Sequence, residues 1–367
     1  MPVPPRKKSL VKKPAKVADA TPDPAKLFGD LRTIIETGRG AVAQAVNAGL
    51  VLLYWSVGDR IRREILGEKR AKYGEEIVVT VSRQLTQEYG KGFSQRNLFN
   101  MIELAEAFPE LRILQTLSAK LGWSHFLHLI PMKDDLKRDF YAEMCRLERW
   151  SVRTLRDKIR GMMYERTAIS KKPEKLIRAE LDALRDEDRM TPDLVFRDPY
   201  VLDFLHLPPD YQESDVELGI LRELESVILE LGSDFAFVAR QKRMPVDRKD
   251  YYLDLLFYHR RLHRLVGVEL KMGAFEAADK GQMELYLGWR NRHERGEGEE
   301  KPIGLILCAG KKDETIELLD MEQDGIRVSA YWKEVLPKEQ LRQKLHEAVI
   351  HARARLASSP QSIKHSK

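Results

Sequence analysis

The stretch LVGVELKMG, residues 265–273, has the apolar run of a buried strand but carries Glu269 and Lys271 inside it. In a strand, residues two apart project to the same side. Glu269 and Lys271 would therefore stand together beside Gly267 and Gly273, with Val266, Val268, Leu270 and Met272 on the opposite side. Just upstream, YYLDLLFYHRR puts Tyr252, Asp254, Leu256 and Tyr258 on one face of a second strand. The connector RRLHR is short and polar, so the spacing predicts a hairpin that sets Asp254 across from Glu269 with Lys271 beside them. Two carboxylates and a lysine on adjacent strands suit a hard divalent cation. Mg²⁺ takes one or two protein carboxylates, keeps several waters and binds phosphate oxygens.

The acid-x-Lys spacing also occurs at Asp135-x-Lys137, Asp247-x-Lys249 and Glu299-x-Lys301. The first falls in a helical pattern and the others in polar loops. Only the copy at 269 lies in an apolar strand with an acidic strand before it. Burying a charge costs several kcal/mol unless it is paired or metal-bound. An exposed-face salt bridge is the competing reading.

The flanking elements must bring further groups to that hairpin. SDVELGILRELESVILELG reads as one helix with Ile220, Leu221, Leu224, Ile228 and Leu231 on a single face. Glu217 falls in the middle of this stripe, whereas Glu223 and Glu225 fall outside it. A carboxylate there wants a partner, unless it only favours the dipole of the first helical turn. After the Glu269 strand, FEAADKGQMELYLGW reads as a helix that places Gln282 and Tyr286 one turn apart on one face. Helix, two strands, helix and further strands make residues 196–355 a mixed α/β domain.

Residues 25–175 instead show helical periodicity throughout. YGEEIVVTVSRQLTQEYG ends on Gly90, and GKGFSQRNLFNMIELAEAFPE follows with Ser94 as its N-cap. Two helices joined by a short Gly-containing turn give a helix-turn-helix layout. It places Gln95, Arg96 and Asn97 at the start of the second helix, where base edges are read. A second unit at LERWSVRTLRDKIRGMMYERT has Ser151 as cap and presents Arg153 and Arg156. Short helical hairpins and charged solvated faces are also common without DNA. Residues 176–195 read as a helical or flexible connector. Residues 1–24 form a Pro- and Lys-rich arm, and residues 356–367 a short tail; both are expected to be disordered.

The 367 residues suffice for two or three domains with sizeable cores. The formal net charge of +6 is compatible with nucleic acid but does not require it. No run of eighteen consecutive apolar residues occurs, so no membrane partner is expected. The basic N-terminus leads into no apolar segment, which excludes a secretory signal. Two distant cysteines, Cys145 and Cys308, speak against a disulfide framework or thiolate zinc site and fit a reducing cytoplasm.

The order of helix with Glu, strand with Asp, strand with Glu-x-Lys and helix with Gln-x-x-x-Tyr resembles the PD-(D/E)xK nuclease superfamily. More closely, the chain resembles its YhcG-like branch. The resemblance is carried by LLFYHRRLHRLVGVELKMG and GLILCAGKK in the C-terminal half. In the N-terminal half it is carried by LYWSVGDRIRREI, GFSQRNLFNM, LSAKLGWSHFLHL, FYAEMCRLERWSVRTLR and YERTAISKKPE. It covers about residues 30 to 340 and leaves out the basic arm. It implies an α+β chain: a helical, DNA-binding N-terminal domain followed by a restriction-endonuclease-like domain with a mixed central sheet.

By that resemblance Asp254, Glu269, the Leu270 carbonyl and Glu217 would hold Mg²⁺, or Mn²⁺ in its place. Lys271 would orient the attacking water or steady the phosphate, and Gln282 and Tyr286 would support the site or touch DNA. The superfamily's Pro-Asp pair is absent, because Leu253 precedes Asp254. The implied activity is metal-dependent hydrolysis of DNA phosphodiester bonds, serving recombination, repair or mobile-element defence. A homodimer is expected, since duplex cutters need two sites. The rival expectation is a DNA-binding or assembly protein that keeps the fold without cleaving.

Overall fold

The computed structural model describes residues 24–66, 71–202 and 212–332, with isolated helical positions at 343 and 350. The expected basic arm, apart from Pro24, and the expected C-terminal tail lie outside the described residues.

The N-terminal half is helical, as its periodicity predicts. A long helix, α1 (Pro24–Leu66), is followed by α2 (Ala71–Tyr89), a single 3-10 turn at Lys91–Phe93 and α3 (Gln95–Ala107). Gly90, at φ 89, closes α2 in a backbone region that side chains avoid. Short helices follow: α4 (Leu111–Ser118), α5 (Trp123–Leu129), α6 (Asp135–Glu148), α7 (Val152–Arg160) and α8 (Met163–Arg166). The next helix, α9 (Glu174–Glu187), buries Ile177, Leu181 and Leu184. These fall three to four residues apart, so one stripe faces the core.

Within α1, Leu31–Glu64 is long and apolar enough to cross a membrane by length and composition, although charges interrupt it. One face of its later half, with Val51, Tyr54 and Asp59, is buried against the neighbouring helices, while Leu53 is exposed. A Cβ on Gly58 would meet the Met101 carbonyl oxygen at 1.9 Å, so α1 and α3 touch backbone to backbone. Buried Asp59 pairs with Arg62 and Arg63 at 3.0 and 2.7 Å. Trp55 donates its indole N–H to the Phe108 carbonyl at 2.8 Å, at the end of α3.

A short α10 (Pro192–Val195) leads into a six-stranded sheet built from β1 (Tyr200–Val201), β2 (Phe235–Val246), β3 (Lys249–His259), β4 (Arg264–Ala274), β5 (Ile303–Gly310) and β6 (Ile326–Trp332). The strand order is β1-β6-β5-β4-β3-β2. β2, β3 and β4 are antiparallel neighbours, while β4, β5, β6 and β1 run parallel, so the sheet is mixed. Helices α11 (Glu213–Arg222) and α12 (Leu224–Leu231) precede β2. The crossover from β4 to β5 is α13 (Ala277–His293), and α14 (Asp313–Leu318) joins β5 to β6.

The stretch expected to be one helix is thus two, broken at Glu223 with φ −105 and ψ 32. The break lets each piece follow a different part of the twisted sheet: α11 packs on β4, and α12 on β1 and β2. Consequently the single apolar face drawn through Glu217 and Leu231 does not exist as one face.

The two sides of the sheet bury different clusters. Leu255, Phe257, Val266, Val268, Leu270, Leu305 and Leu307 join Val216 and Ile220 of α11 in a core that continues into the helical half through Phe140, Tyr164 and Ile177. On the other side, Leu253, Leu256, Ile306 and Cys308 meet Met283, Tyr286 and Leu287 of α13. Gly304 permits this second contact, since a Cβ there would lie 2.6 Å from the Met283 thioether.

Candidate active site

The β3–β4 hairpin forms as predicted, but it forks. Its paired registers run only from Leu255↔Val268 to His259↔Arg264. Beyond that point the early residues of β3 pair with β2, and the later residues of β4 pair with β5. Asp254 and Glu269 are therefore the first residues on the two arms of the fork. The alternation of β3 also slips here, because Leu253 and Leu256 enter one cluster while Leu255 enters the other. In place of a backbone acceptor, the Leu270 N–H donates to Asp254 Oδ2 at 2.8 Å. A carboxylate thus closes the gap where the strands part.

The other Asp254 oxygen accepts from Gln241 Nε2 at 3.0 Å, and the same amide reaches Glu217 Oε2 at 2.9 Å. Gln241 lies on edge strand β2 with φ 43, a backbone region that non-glycine residues occupy at a cost. The strain turns its side chain toward both acids. Glu217 is half-buried and meets the site through this amide, at the mouth rather than in a buried stripe.

Glu269 is buried, at 5% exposure. Its Oε1 accepts from Lys271 Nζ at 3.1 Å and from Gln282 Nε2 at 3.0 Å. Its Oε2 is buried and has no hydrogen-bond partner among the described residues. The Gln282 amide is fully used: Oε1 accepts from Lys271 at 3.3 Å, and Nε2 also donates to Tyr286 Oη at 2.6 Å. Tyr286 in turn donates to the Tyr252 carbonyl at 3.0 Å. This geometry explains the Gln-x-x-x-Tyr spacing. One helical turn of α13 carries both side chains, and together they brace Glu269 and Lys271 against β3.

Burial is the first influence on the charges. It pushes the Glu269 carboxyl up to about 7; neighbouring Asp254 adds to this and Lys271 opposes it. Burial likewise raises Asp254, against the pull of the Leu270 N–H, Gln241 and Lys271. Burial disfavours the Lys271 charge, but Glu269 and then Asp279, 3.8 Å away, outweigh it and raise its pKa. Glu213, in the first turn of α11, is also raised, by burial and then by Asp254. The centre is therefore crowded with negative charge, which Lys271 offsets only in part.

The sequence reading thus finds Asp254, Glu269, Lys271, Gln282 and Tyr286 gathered at one point, with Glu217 at its mouth. It missed Gln241 and Glu213. An acid in the first turn of the helix carrying Glu217 could have flagged Glu213. Nothing local marks Gln241.

The helical-half candidates lie elsewhere. Gln95 and Arg96 open α3 and are exposed. Asn97 donates to the Gly92 carbonyl at 2.6 Å and accepts from the Trp123 indole at 3.2 Å, so its amide is committed to the fold. Ser94 stands at the N-cap without a side-chain cap bond. Ser151 accepts from the Thr154 N–H at 3.1 Å and caps α7, which exposes Arg153 and Arg156.

Among the described residues, no three His, Cys, Asp or Glu side chains gather tightly enough to mark a metal site by themselves. The residues present nonetheless fit Mg²⁺ or Mn²⁺. Such ions need only one or two protein carboxylates, and Glu269 Oε2 is a buried acceptor that none of the described residues satisfies.

A mixed sheet whose hairpin forks around an Asp and a Glu-x-Lys, with helices on both faces, defines the class as a PDDEXK nuclease fold. Residues 193–346 match the YhcG PDDEXK nuclease domain, and residues 30–166 match the DUF1016 N-terminal domain. Over 308 residues the chain is 36% identical to a protein of Escherichia coli (strain K12) named "Putative nuclease YhcG", covering 76% of this chain and 81% of that one. The chain belongs to the YhcG family of PDDEXK nucleases. A solved structure, the crystal structure of a repair endonuclease from Pyrococcus abyssi, aligns at 22% identity and TM-score 0.24 over 35% of this chain. That alignment spans 50% of the endonuclease chain, a likeness too slight to say anything of function.

Proposed function

We propose that this nuclease hydrolyses DNA phosphodiester bonds at the β3–β4 fork with a divalent ion, Mg²⁺ or Mn²⁺. The observation that carries the reading is Glu269: a buried carboxylate with one unsatisfied oxygen, set beside Asp254 and Lys271. Asp254, Glu269 and the Leu270 carbonyl would hold the ion, with Glu217 nearby as a further acid. The ion would supply a Lewis acid for the phosphate and an acidified water.

The chain's own groups do the remainder. Lys271, fixed by Glu269 and Gln282, presents a cation where a pentavalent phosphate gathers negative charge. Gln282 and Tyr286 hold Glu269 in one rotamer, so little reorganisation is needed on binding. The helical half, through exposed Gln95, Arg96, Arg153 and Arg156, holds the substrate. Recombination, repair or mobile-element defence is the process such cutting would serve, as a homodimer if both strands are cut. A reducing cytoplasm suits the two free, buried thiols.

Plasmid nicking with Mg²⁺ or Mn²⁺ tests the reading. Wild type nicks, and Asp254→Ala loses the activity by a factor of about 10² or more. Equal nicking by both proteins, or none by wild type with any divalent ion, rejects it. A second reading, a DNA-binding protein that keeps the fold without cleaving, has in its favour that the acids do not form a compact three-ligand cluster among the described residues. Salt-dependent DNA binding without cleavage would select it.

A further inference from the structure

Beyond the fork, β2 and β3 continue as a two-stranded ribbon, with no third strand among the described residues. Five registers close it, from Lys242↔Leu253 to Val246↔Lys249. At about 3.3 Å per residue the ribbon runs roughly 15 Å from the candidate active site. One face is anchored: Met244 and Leu253 are buried against α13, with Tyr251 packed beside them. The other face, with Arg243, Pro245, Asp250 and Tyr252, is exposed.

Three features of this ribbon lack an explanation in the fold. First, residues 240–250 hold five basic side chains against two acidic ones. The fold engages Lys242 with Glu294 at 3.5 Å and sets Lys249 over the Tyr251 ring, so the feature rests on the arginines, Arg243 and Arg248 above all. Arg243 pairs with Asp250 at 3.0 Å, but both are exposed, and such pairs hold weakly and exchange readily. Second, the tip is the two-residue turn Asp247-Arg248, with φ 46 and 65. Such primed turns favour glycine at these positions, above all at the second, yet an arginine sits there. Edge protection would account for a lysine or a proline on β2, but not for an arginine where glycine would relieve the backbone. Third, Tyr252 is 47% exposed, opposite Arg243 and two residues before Asp254. Those two residues span about 6.6 Å of strand.

We infer that the exposed face of this ribbon binds a single strand of nucleic acid and leads it into the fork: Tyr252 stacks on an unpaired base, and Arg243 and Arg248 hold the flanking phosphates. This deepens the proposed nuclease reading and rests on it for the direction of travel. It names the substrate as DNA with an unpaired stretch at the cut. Aromatic stacking suits any base but requires one that is out of a duplex. The basic groups supply the charge complementarity and the salt dependence.

The test measures binding and cleavage separately on the full chain. Fluorescence anisotropy in EDTA, where no cleavage occurs, compares a labelled single strand with its duplex. Wild type should bind the single strand more tightly than the duplex. Tyr252→Ala should weaken single-strand binding about tenfold, while Tyr252→Phe, which keeps the ring, stays near wild type. Arg248→Gly should weaken binding several-fold and lower the salt slope by about one. Its melting temperature should hold or rise, because glycine suits the turn. That separates lost binding from lost folding.

Wild-type preference for duplex, no binding by wild type, or unchanged binding in Tyr252→Ala and Arg248→Gly would each overturn the inference. Binding as expected without cleavage by any divalent ion would reject the nuclease reading and leave the ribbon standing. Cleavage with unchanged variant binding would do the reverse.

Discussion

At the scale of single residues, Glu269 pays for its position with stability. Its ordinary pKa of 4.5 rises to about 7 in the folded, metal-free protein, with burial the first cause. Below pH 4.5 folded and unfolded chains both hold the proton, and the site costs nothing. Between 4.5 and about 7 only the folded chain holds it, so stability falls as pH rises, and above 7 the full cost remains. The cost is up to about 3 kcal/mol. Glu269→Gln should therefore abolish cleavage yet raise the melting temperature in EDTA at pH 8, with little gain at pH 4. Equal melting curves for the two proteins at pH 8 would refute this account.

The same scale shows what could be read without coordinates. Asp254 follows from hairpin proximity to Glu269, Lys271 from strand alternation with Glu269, and Gln282 and Tyr286 from helical spacing; all three are local rules. Gln241 escapes them because it reaches the acids through a strained backbone conformation on a neighbouring strand. Asn97 fails in the opposite direction. Its place in a turn-helix pattern looks available, but bonds to Gly92 and Trp123 use its amide in the fold.

At the scale of elements, two glycines set how closely helices approach. The obstacle at Gly58 is the backbone carbonyl of Met101, which cannot step aside. At Gly304 it is the thioether of Met283, which can change rotamer. Gly58→Ala should cost about 3 kcal/mol in urea unfolding, and Gly304→Ala about 1 kcal/mol. The reverse order would mean that the α1–α3 contact is looser than described. Element boundaries were legible where punctuation exists, as at Gly90. The break at Glu223 was not, since no glycine or proline marks it. It arises from the twist of a sheet whose strands come later in the chain.

At the scale of the whole molecule, the two matched regions share one core and one buried ion cluster. Glu230 of α12 pairs with Arg166 of α8, and with Arg197 at 3.3 Å. Burial alone would raise the Glu230 carboxyl, but Arg166 and then Arg197 outweigh it and hold it near 2. This contribution is present above the unfolded value of 4.5 and fades as pH falls toward 2. Glu230→Ala leaves two buried guanidinium groups uncompensated and should cost about 3–5 kcal/mol. Denaturant titration at pH 7 measures it, and a loss under about 1 kcal/mol would show the cluster to be well hydrated.

Asp198 adds a second tie, accepting from Lys171 of the helical half and from Lys311 just after β5. Arg261 adds a third, donating to the Leu147 carbonyl at 3.1 Å. Swapping catalytic halves between relatives is therefore not a matter of cutting at the joint and sewing in a new piece. A transplanted half must bring its own counter-ions for the host's arginines and lysines, so the seams that evolution can reuse lie where these partners travel together.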